Sequence, residues 1–265
     1  MPLDVAVLLS VGRHPASGRS RRADLDARAL ELALRLGPGV QIHAIHAGDP
    51  EEPALADYLG MGLTSLTVLK QPRDSDVLPA LASHLATLKP GLILAGAAAE
   101  IGEGSGMLPY LLARELRAAL LPAIAEAVLS GDGVGALQAL PRGRRRRLSA
   151  GLPALLTIDR AAPAGRQSAF ARARAGKLVV LDVPAVARAD SGVREVAARP
   201  KPKRLKLGTD GSAAERLRAA TEMQAGRGQL LLNPPPEEAA RAILDYLVKE
   251  GILSPATLVA PNLRG

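Results

Sequence analysis

Residues 4–36, DVAVLLSVGRHPASGRSRRADLDARALELALRL, decide the fold class of this chain. Asp4–Ser10 is a short, nearly continuous apolar run, which is typical of a parallel strand that is covered on both faces. A polar loop follows, and Leu25–Leu36 then carries leucine and alanine at helical spacing until Gly37 and Pro38 end the helix. This order predicts one unit of an alternating α/β fold.

The same alternation continues to about residue 121. Strand-like segments are Val40–Ala44, Leu66–Leu69 and Leu92–Ala95, and helical segments are Pro53–Met61, Val77–Leu88 and Ser105–Leu116. Strands and helices that alternate over short connections indicate a doubly wound, mostly parallel sheet with right-handed crossovers. The predicted fold class is therefore α/β and Rossmann-like.

The rhythm changes after Leu121. Four strand-like segments follow without a helix between them, namely Ile124–Leu129, Gly135–Leu140, Arg144–Ala150 and Ala154–Ile158. We expect them to form antiparallel additions to the sheet. The Ala- and Arg-rich stretch from Arg160 to Lys177 is expected to be a loop that runs into a short helix.

The C-terminal part has a different composition. Val183–Thr209 holds three prolines among many charges and predicts an extended arm, whereas Pro236–Lys249 has the apolar face of an amphipathic helix. We therefore expect a nucleotide-binding α/β domain at residues 1–182. An extended arm and a C-terminal helix at residues 183–265 should contact a partner subunit.

Composition excludes several classes of function. The 265 residues contain no Cys, which removes disulfides, thiolate metal sites and Cys nucleophiles. Aromatic residues make up 2%, so base stacking cannot be a main mechanism, although a net charge of +8 invites a nucleic-acid hypothesis. No apolar run approaches the roughly 20 residues of a membrane helix. We expect a cytoplasmic protein without membrane insertion and without bound nucleic acid.

Two other patterns invite a functional interpretation. Arg142 and Arg144–Arg147 lie at an expected hairpin, where a solvated, like-charged sheet edge is favoured over nucleic-acid binding. His43 and His46 are three residues apart on an expected strand, which places them on opposite faces and disfavours a shared metal ion. No catalytic residue is predicted.

Ligands of parallel α/β sheets bind at the carboxyl ends of the strands. The first strand ends near Ser10, the second near Ala47, and the fourth leads through Glu100 to alternating glycines before a helix. Such glycines let backbone N–H groups face a phosphate at a helix N-terminus, or they simply permit a tight turn. There is no Walker sequence and no G-x-G-x-x-G after the first strand.

Five stretches in this order resemble the beta subunit of electron-transfer flavoprotein over almost the whole chain. They are VAVLLSVGR (Val5–Arg13), DLDARALELALRL (Asp24–Leu36), LGMGLTSLTVL (Leu59–Leu69), LILAGAAAEIGEGSGMLPYLLA (Leu92–Ala113) and GLPALLTIDRAAPAGR (Gly151–Arg166). Residues 228–253 are similar to the family's C-terminal helix. The resemblance implies the adenine nucleotide hydrolase-like variant of the fold.

The resemblance also implies cofactors and partners. FAD is held mainly by an alpha subunit in a heterodimer, and the beta subunit holds AMP. The residues at the family's nucleotide-binding positions are Ser10, Ala47, Gly102, Glu103, Gly104, Ser105, Gly106 and Met107. Here the loop is shorter and its acidic segment is reduced to Glu100 and Glu103. Two outcomes stay open: AMP is bound, or the chain's own side chains fill the site.

The segment after Pro163 takes the place of the family's partner-recognition loop. Arg160, Arg166 and Arg172 are therefore candidates for docking an acidic surface on a flavin-dependent dehydrogenase. The implied function is an electron carrier and not an enzyme. It accepts electrons from the dehydrogenase and passes them to the respiratory chain through electron-transfer flavoprotein quinone oxidoreductase.

Two functions from other classes remain. An adenylating enzyme or AMP/ATP-binding protein on the same fold would carry a Ser-Gly-Gly loop after the first strand, where this chain has Ser10, Val11 and Gly12. A basic RNA-binding module is disfavoured by the scarcity of aromatic residues. The sequence does not identify the donor dehydrogenase, and it does not decide whether the pair bifurcates electrons.

Overall fold

The computed structural model describes residues 2–102, 104–187, 196, 212–214 and 231–249. Most of the predicted arm therefore lies outside the described residues, as does Glu103.

The chain divides into two compact units, Met1–Val193 and Arg194–Gly265. The division predicted from the sequence, at residues 182 and 183, stays a prediction.

The strands of the described residues are β1 (Leu3–Leu8), β2 (Val11–Arg13), β3 (Ser20–Arg22), β4 (Val40–Gly48), β5 (Ser65–Lys70), β6 (Ser75–Asp76), β7 (Leu92–Gly96), β8 (Ala119–Ser130), β9 (Gly133–Ala139), β10 (Arg145–Gly151), β11 (Ala154–Ile158), β12 (Lys177–Asp182) and β13 (Val186–Ala187). The helices are α1 (Asp24–Arg35), α2 (Ala54–Leu59), α3 (Val77–Leu88), α4 (Leu108–Glu115), α5 (Phe170–Ala175) and α6 (Pro236–Lys249), with a 3₁₀ turn at Pro141–Gly143.

Nine of these strands form one sheet in the order β10-β9-β8-β11-β7-β1-β4-β5-β12. Within this sheet, β9 pairs antiparallel with both of its neighbours, β10 and β8. The other neighbouring pairs, from β8–β11 to β5–β12 in the order given, are parallel. Val5, Ala6 and Val7 of the central strand β1 are fully buried, as expected for a strand covered on both faces. The predicted α/β, doubly wound fold class is confirmed.

The expectation for residues 124–158 is partly wrong. β8, β9 and β10 do pair antiparallel around β9, but β11 lies inside the sheet, parallel to β7 and to β8. All five residues of β11 are buried. An uninterrupted apolar run fits such a double-sided position better than an edge position.

Several helix predictions are confirmed. α3 and α6 have the predicted bounds, and the side chain of Asp76 caps α3 by accepting a hydrogen bond from the backbone N–H of Leu78 at 3.0 Å. The helix predicted from Ser105 begins only at Leu108, because Gly106 has φ = 73°. The short helix expected before Lys177 is α5.

The expected arginine-rich hairpin connects β9 and β10. β10 is an edge strand of the large sheet, and Arg145, Arg146 and Arg147 on it are exposed. Exposed like charges on an edge strand discourage pairing with another sheet. That nucleic acid is not bound stays a prediction.

Candidate functional site

The order of strands reverses at β1, which places a topological switch point between β1 and β7. From β1 the chain moves through β4 to β5 on one side and then crosses to β7 on the other side. In doubly wound sheets, ligands bind in the crevice outside the carboxyl ends of the strands at this point. Ser10 and Gly96 mark these two strand ends in this chain.

The side chain of Asp26, in the first turn of α1, lies between these two strand ends. One carboxylate oxygen, Oδ1, accepts a hydrogen bond from the backbone N–H of Gly96 at 2.9 Å. The other, Oδ2, accepts bonds from the backbone N–H of Ser10, at 2.7 Å, and from the Ser10 hydroxyl. Asp26 is 5% exposed. A single buried carboxylate therefore joins β1, β7 and α1.

The environment of Asp26 is electrostatically costly. Burial raises the pKa of this carboxyl group from 3.8 to about 6, although the hydrogen bonds from Ser10 and Gly96 act in the opposite direction. The nearby Glu100 raises the pKa further. These donors are neutral, and among the described residues no cationic side chain forms an ion pair with Asp26.

Glu100 occupies the neighbouring position at the start of α1. Its Oε1 accepts a hydrogen bond from the backbone N–H of Asp24 at 2.9 Å, and its Oε2 is 2.7 Å from Nη2 of Arg21. The helix N-cap residue, Ala23, has no side chain that could cap the helix. A carboxylate from a distant loop therefore takes the place at the helix N-terminus that an anion would take.

Tyr58 closes the crevice on the side of α2. Its hydroxyl group donates a hydrogen bond to the carbonyl oxygen of Ser10 at 2.8 Å and accepts one from the backbone N–H of Ala23 at 2.9 Å. The ring is fully buried. Burial raises the pKa of Tyr58 well above its usual value, so the hydroxyl keeps its proton as a donor.

The two predicted residues at the strand ends thus have structural partners. Ser10 uses both its backbone N–H and its hydroxyl on Asp26. Ala47, near the end of β4, is partly buried and packs against the apolar cluster on one face of the sheet. Contact of either residue with a nucleotide stays a prediction.

The predicted phosphate loop lies between β7 and α4. Gly102, Gly104 and Gly106 all have positive φ angles, of 80°, 61° and 73°. A Cβ atom at Gly106 would lie 2.8 Å from the carbonyl oxygen of Ala97, so this turn requires glycine there. The hydroxyl of Ser105 accepts a hydrogen bond from the backbone N–H of Met107 at 3.3 Å. Glu103 lies outside the described residues.

Arg166, a predicted docking residue, makes an ion pair within this chain. Nε of Arg166 lies 2.7 Å from Oε2 of Glu31, Nη2 lies 3.3 Å from Oε1, and the backbone N–H also donates to Oε2. Glu31, on α1, is 3% exposed. Burial by itself raises the pKa of Glu31, but hydrogen bonds from Arg166 and Arg35 outweigh burial and lower it to about 2.

Further bonds hold the same loop against β3 and α1. Arg22 donates from Nη1 to the carbonyl oxygen of Arg166 at 2.7 Å, and Arg28 donates to the carbonyl oxygen of Ala162. A Cβ atom at Gly165 would lie 2.9 Å from that of Ala27. The loop is therefore fixed in place before α5 begins.

The other arginines of this region lie on the surface of the described part of the chain. Arg160, Arg172 and Arg174 are exposed, and Cζ of Arg174 lies 5.9 Å from the ring centroid of Phe170. Phe170 is the only Phe of the chain and is 77% exposed. An exposed aromatic ring among arginines has the composition of a protein-binding surface.

The two histidines of β4 do not share a hydrogen-bond partner. Nε2 of His43 lies 2.7 Å from Oδ1 of Asp4, and Nδ1 of buried His46 lies 2.9 Å from the carbonyl oxygen of Leu9, so the two rings have separate partners. In the described ranges no His, Asp and Glu cluster could hold a metal ion.

No helix among the residues that the structure describes is both long and apolar enough to cross a membrane.

Comparison with known proteins agrees with this architecture. A family model described as the electron transfer flavoprotein domain matches residues 16–191. The electron transfer flavoprotein subunit beta of Chromohalobacter salexigens is 46% identical over 268 residues, which cover 95% of this chain and 96% of that protein. The chain belongs to the electron-transfer flavoprotein family. The resemblance found in the sequence is confirmed.

Within this family the similarity is to a beta subunit, which is an electron carrier and not an enzyme. The adenylating alternative has no support from these comparisons.

Two carboxylates that shape the site were missed by the sequence reasoning. Asp26 and Glu31 both lie on α1 among buried residues such as Ala27 and Leu30. An acidic residue within the apolar face of a helix was the available signal, because a buried carboxylate requires partners. Those partners come from residues up to 135 positions away, which spacing alone does not identify.

Proposed function

We propose that this chain forms a heterodimer with an alpha subunit that holds most of the FAD. It accepts electrons from a flavin-dependent dehydrogenase and passes them to the respiratory chain through electron-transfer flavoprotein quinone oxidoreductase. The observation that carries the proposal is the beta-subunit match along 95% of the chain.

In this proposal FAD supplies the redox chemistry when it is bound by the complex. The residues of this chain supply structure and docking. Asp26 joins the central strands to α1, Glu31 fixes the loop before α5, and the surface around Phe170 meets the donor. A fixed docking surface limits the orientations in which donor and carrier meet, which favours transfer over a short distance.

The docking surface that we propose consists of Arg160, Arg172, Arg174 and Phe170. Arg166 lies beside this surface, but its guanidinium group is bound to Glu31 and serves to position the loop. The exposed arginines would meet an acidic patch on the dehydrogenase and mainly increase the association rate.

Apolar residues on two further elements support an alpha partner. Leu178, Val179 and Val180 of the edge strand β12 are 39%, 44% and 45% exposed, and α6 exposes Ile243 and Tyr246 at 59% and 50%. Exposed apolar groups of this kind are frequent where proteins associate. The cytoplasm remains the proposed location.

The proposal for AMP is narrower and concerns its phosphate. If the complex binds AMP, the segment proposed for its phosphate is Gly102–Met107, where Gly102, Gly104 and Gly106 have positive φ and the hydroxyl of Ser105 can donate a hydrogen bond. Replacement of Gly104, at φ = 61°, by valine would strain the loop, and it would abolish phosphate binding only in a complex that holds AMP.

Co-expression with the alpha subunit tests the proposed function. The expected result is a yellow complex of one alpha and one beta subunit whose flavin is reduced by a dehydrogenase. Expressed alone, the chain should self-associate. A monodisperse monomer that binds no alpha subunit would contradict the proposal.

A further inference from the structure

We propose that Asp26 and Glu100 take the place of a nucleotide at the carboxyl ends of β1 and β7. The complex then holds no AMP and no other adenine nucleotide in this subunit. This inference rests on the proposed function only for the identity of the excluded ligand.

The hydrogen-bond donors at the switch point are already used. The backbone N–H and hydroxyl of Ser10 and the backbone N–H of Gly96 all point to the Asp26 carboxylate. At the start of α1, the backbone N–H of Asp24 points to Glu100. A bound phosphate needs convergent donors of this kind, and here each of them serves a carboxylate of the chain itself.

The close approach that glycine allows is used in the same way. A Cβ atom at Gly12 would overlap the carboxylate of Glu100, and a Cβ atom at Gly96 would overlap that of Asp26. Glycine at a strand end lets a ligand approach the backbone closely. In this chain the carboxylate of Glu100 occupies the space beside Gly12, and that of Asp26 occupies the space beside Gly96.

The local charge opposes an additional anion. Asp24, Asp26 and Glu100 surround the first turn of α1, and Arg21 and Arg28 are paired with Glu100 and Asp24 at 2.7 and 3.0 Å. A phosphate at this position would have to displace Glu100 from Arg21 or lie beside uncompensated carboxylates. Either arrangement is unfavourable, because like charges at short distance repel, and they repel most strongly beside the buried carboxylate of Asp26.

The nucleotide content of the purified protein tests this inference directly. The flavin-loaded complex is denatured, and the released nucleotides are separated by chromatography and counted against protein. We expect one flavin for each pair of subunits and no AMP, and no rise of the thermal midpoint when millimolar AMP is added to the native complex. One AMP per complex, two flavins per complex, or a saturable rise of the midpoint with AMP would overturn the inference.

A matched pair of variants tests the role of the carboxylate. Glu100→Gln removes the charge at the start of α1, and Glu115→Gln removes an exposed charge from α4 as a control. If Glu100 fills the site, Glu100→Gln lowers the thermal midpoint of the AMP-free complex by several degrees while the control leaves it unchanged. Equal midpoints for the two variants would contradict the inference.

The two proposals can fail separately. A protein that purifies without a flavin-bearing partner contradicts the proposed function, whereas its AMP content still tests the inference. A flavin-bearing complex that also releases AMP contradicts only the inference.

Discussion

Asp26 and Glu31 are two carboxylates on the same helix, and both are nearly inaccessible to solvent, yet their surroundings act on them in opposite directions. Asp26 faces the strand ends and has neutral donors, so burial raises its pKa to about 6. Glu31 faces the loop that precedes α5, and hydrogen bonds from Arg166 of this loop and from Arg35 of α1 lower its pKa to about 2. The difference shows that the partners of a buried acid, and not its burial alone, decide whether the charge stabilises the fold.

The two faces of α1 therefore have different roles. At Glu31 the ionised form holds the loop that precedes α5, and its charge is compensated. At Asp26 the ionised form satisfies Ser10 and Gly96 at an electrostatic cost. The cost of burying the Asp26 charge is tolerated because the donors at the ends of β1 and β7 require an acceptor.

Charge reversal of the loop arginine is expected to have the largest effect. Arg166→Glu would place a second carboxylate against the buried Glu31 and lower the free energy of unfolding by about 4 kcal/mol at pH 7, below the upper end for a fully buried pair because the Arg166 side chain is 41% exposed. Denaturant titration of the complex measures this change. Arg172→Glu, the same change at an exposed position on α5, is the control, and an equal loss in both variants would contradict the comparison.

The pH dependence of Asp26 is expected to be the second largest effect. Because its folded pKa is raised from 3.8 to about 6, folding favours the protonated form, and stability falls as the pH rises through this range by on the order of 3 kcal/mol. In Asp26→Asn this fall should be absent. Asp132→Asn, at an exposed position, should keep it. Denaturation curves at several pH values from about 3.5 to about 7 measure how the free energy of unfolding changes with pH.

Glu31 should show the opposite sign at lower pH. Its folded pKa is lowered from 4.5 to about 2, so its contribution is present above pH 4.5 and is lost as the pH falls towards 2. Because Glu31 stabilises the fold as the pH rises to 4.5 and Asp26 destabilises it as the pH rises above 3.8, their combined contribution to the free energy of unfolding is largest between these two values.

The exposed arginines of the docking surface should affect the rate of electron transfer and not the stability. Arg172→Glu is expected to slow reduction of the flavin by its dehydrogenase several-fold at low ionic strength, and the effect should disappear at high salt. Stopped-flow reduction measures it. Arg145→Glu on the distant edge strand β10 is the control with the same charge change, and equal rates in both variants would exclude this surface from docking.

Arg35→Ala should have the smallest effect. Arg35 forms an i,i+4 pair with Glu31 at 2.7 Å, but its side chain is 57% exposed. Pairs of this kind contribute about 0.3 to 0.5 kcal/mol. Thermal unfolding should show a shift of a degree or two, and a loss as large as that of Arg166→Glu would mean that the two arginines are equivalent partners of Glu31.

Local patterns in the sequence predicted most of the helices and strands. Helix α3 ends where Lys89 turns left-handed and begins at the capping residue Asp76, and both signals are local. The alternation of buried and partly buried residues in β9 is equally local. Such elements are predictable because the interactions that define them lie within a few residues.

The position of β11 and the partners of the buried acids were not predictable in this way. Pairing order in a sheet depends on contacts between distant segments, such as Leu155 beside Ile93. The same holds for Arg166 and Glu31, which are 135 residues apart. The resemblance to a family correctly identified the fold, and the docking region stays a prediction, but the resemblance could not show that Asp26 and Glu100 meet at the strand ends.

The place of β11 in the sheet constrains how the chain acquires its structure during synthesis. β8, β9 and β10 leave the ribosome before β11, yet β11 separates β7 from β8 in the finished sheet. The β8–β10 segment therefore cannot dock in its final place until Ile158 has emerged, and the edge of β7 stays unpaired until then. Nascent chains that stall before this residue would expose that edge, which makes them candidates for chaperone binding and aggregation.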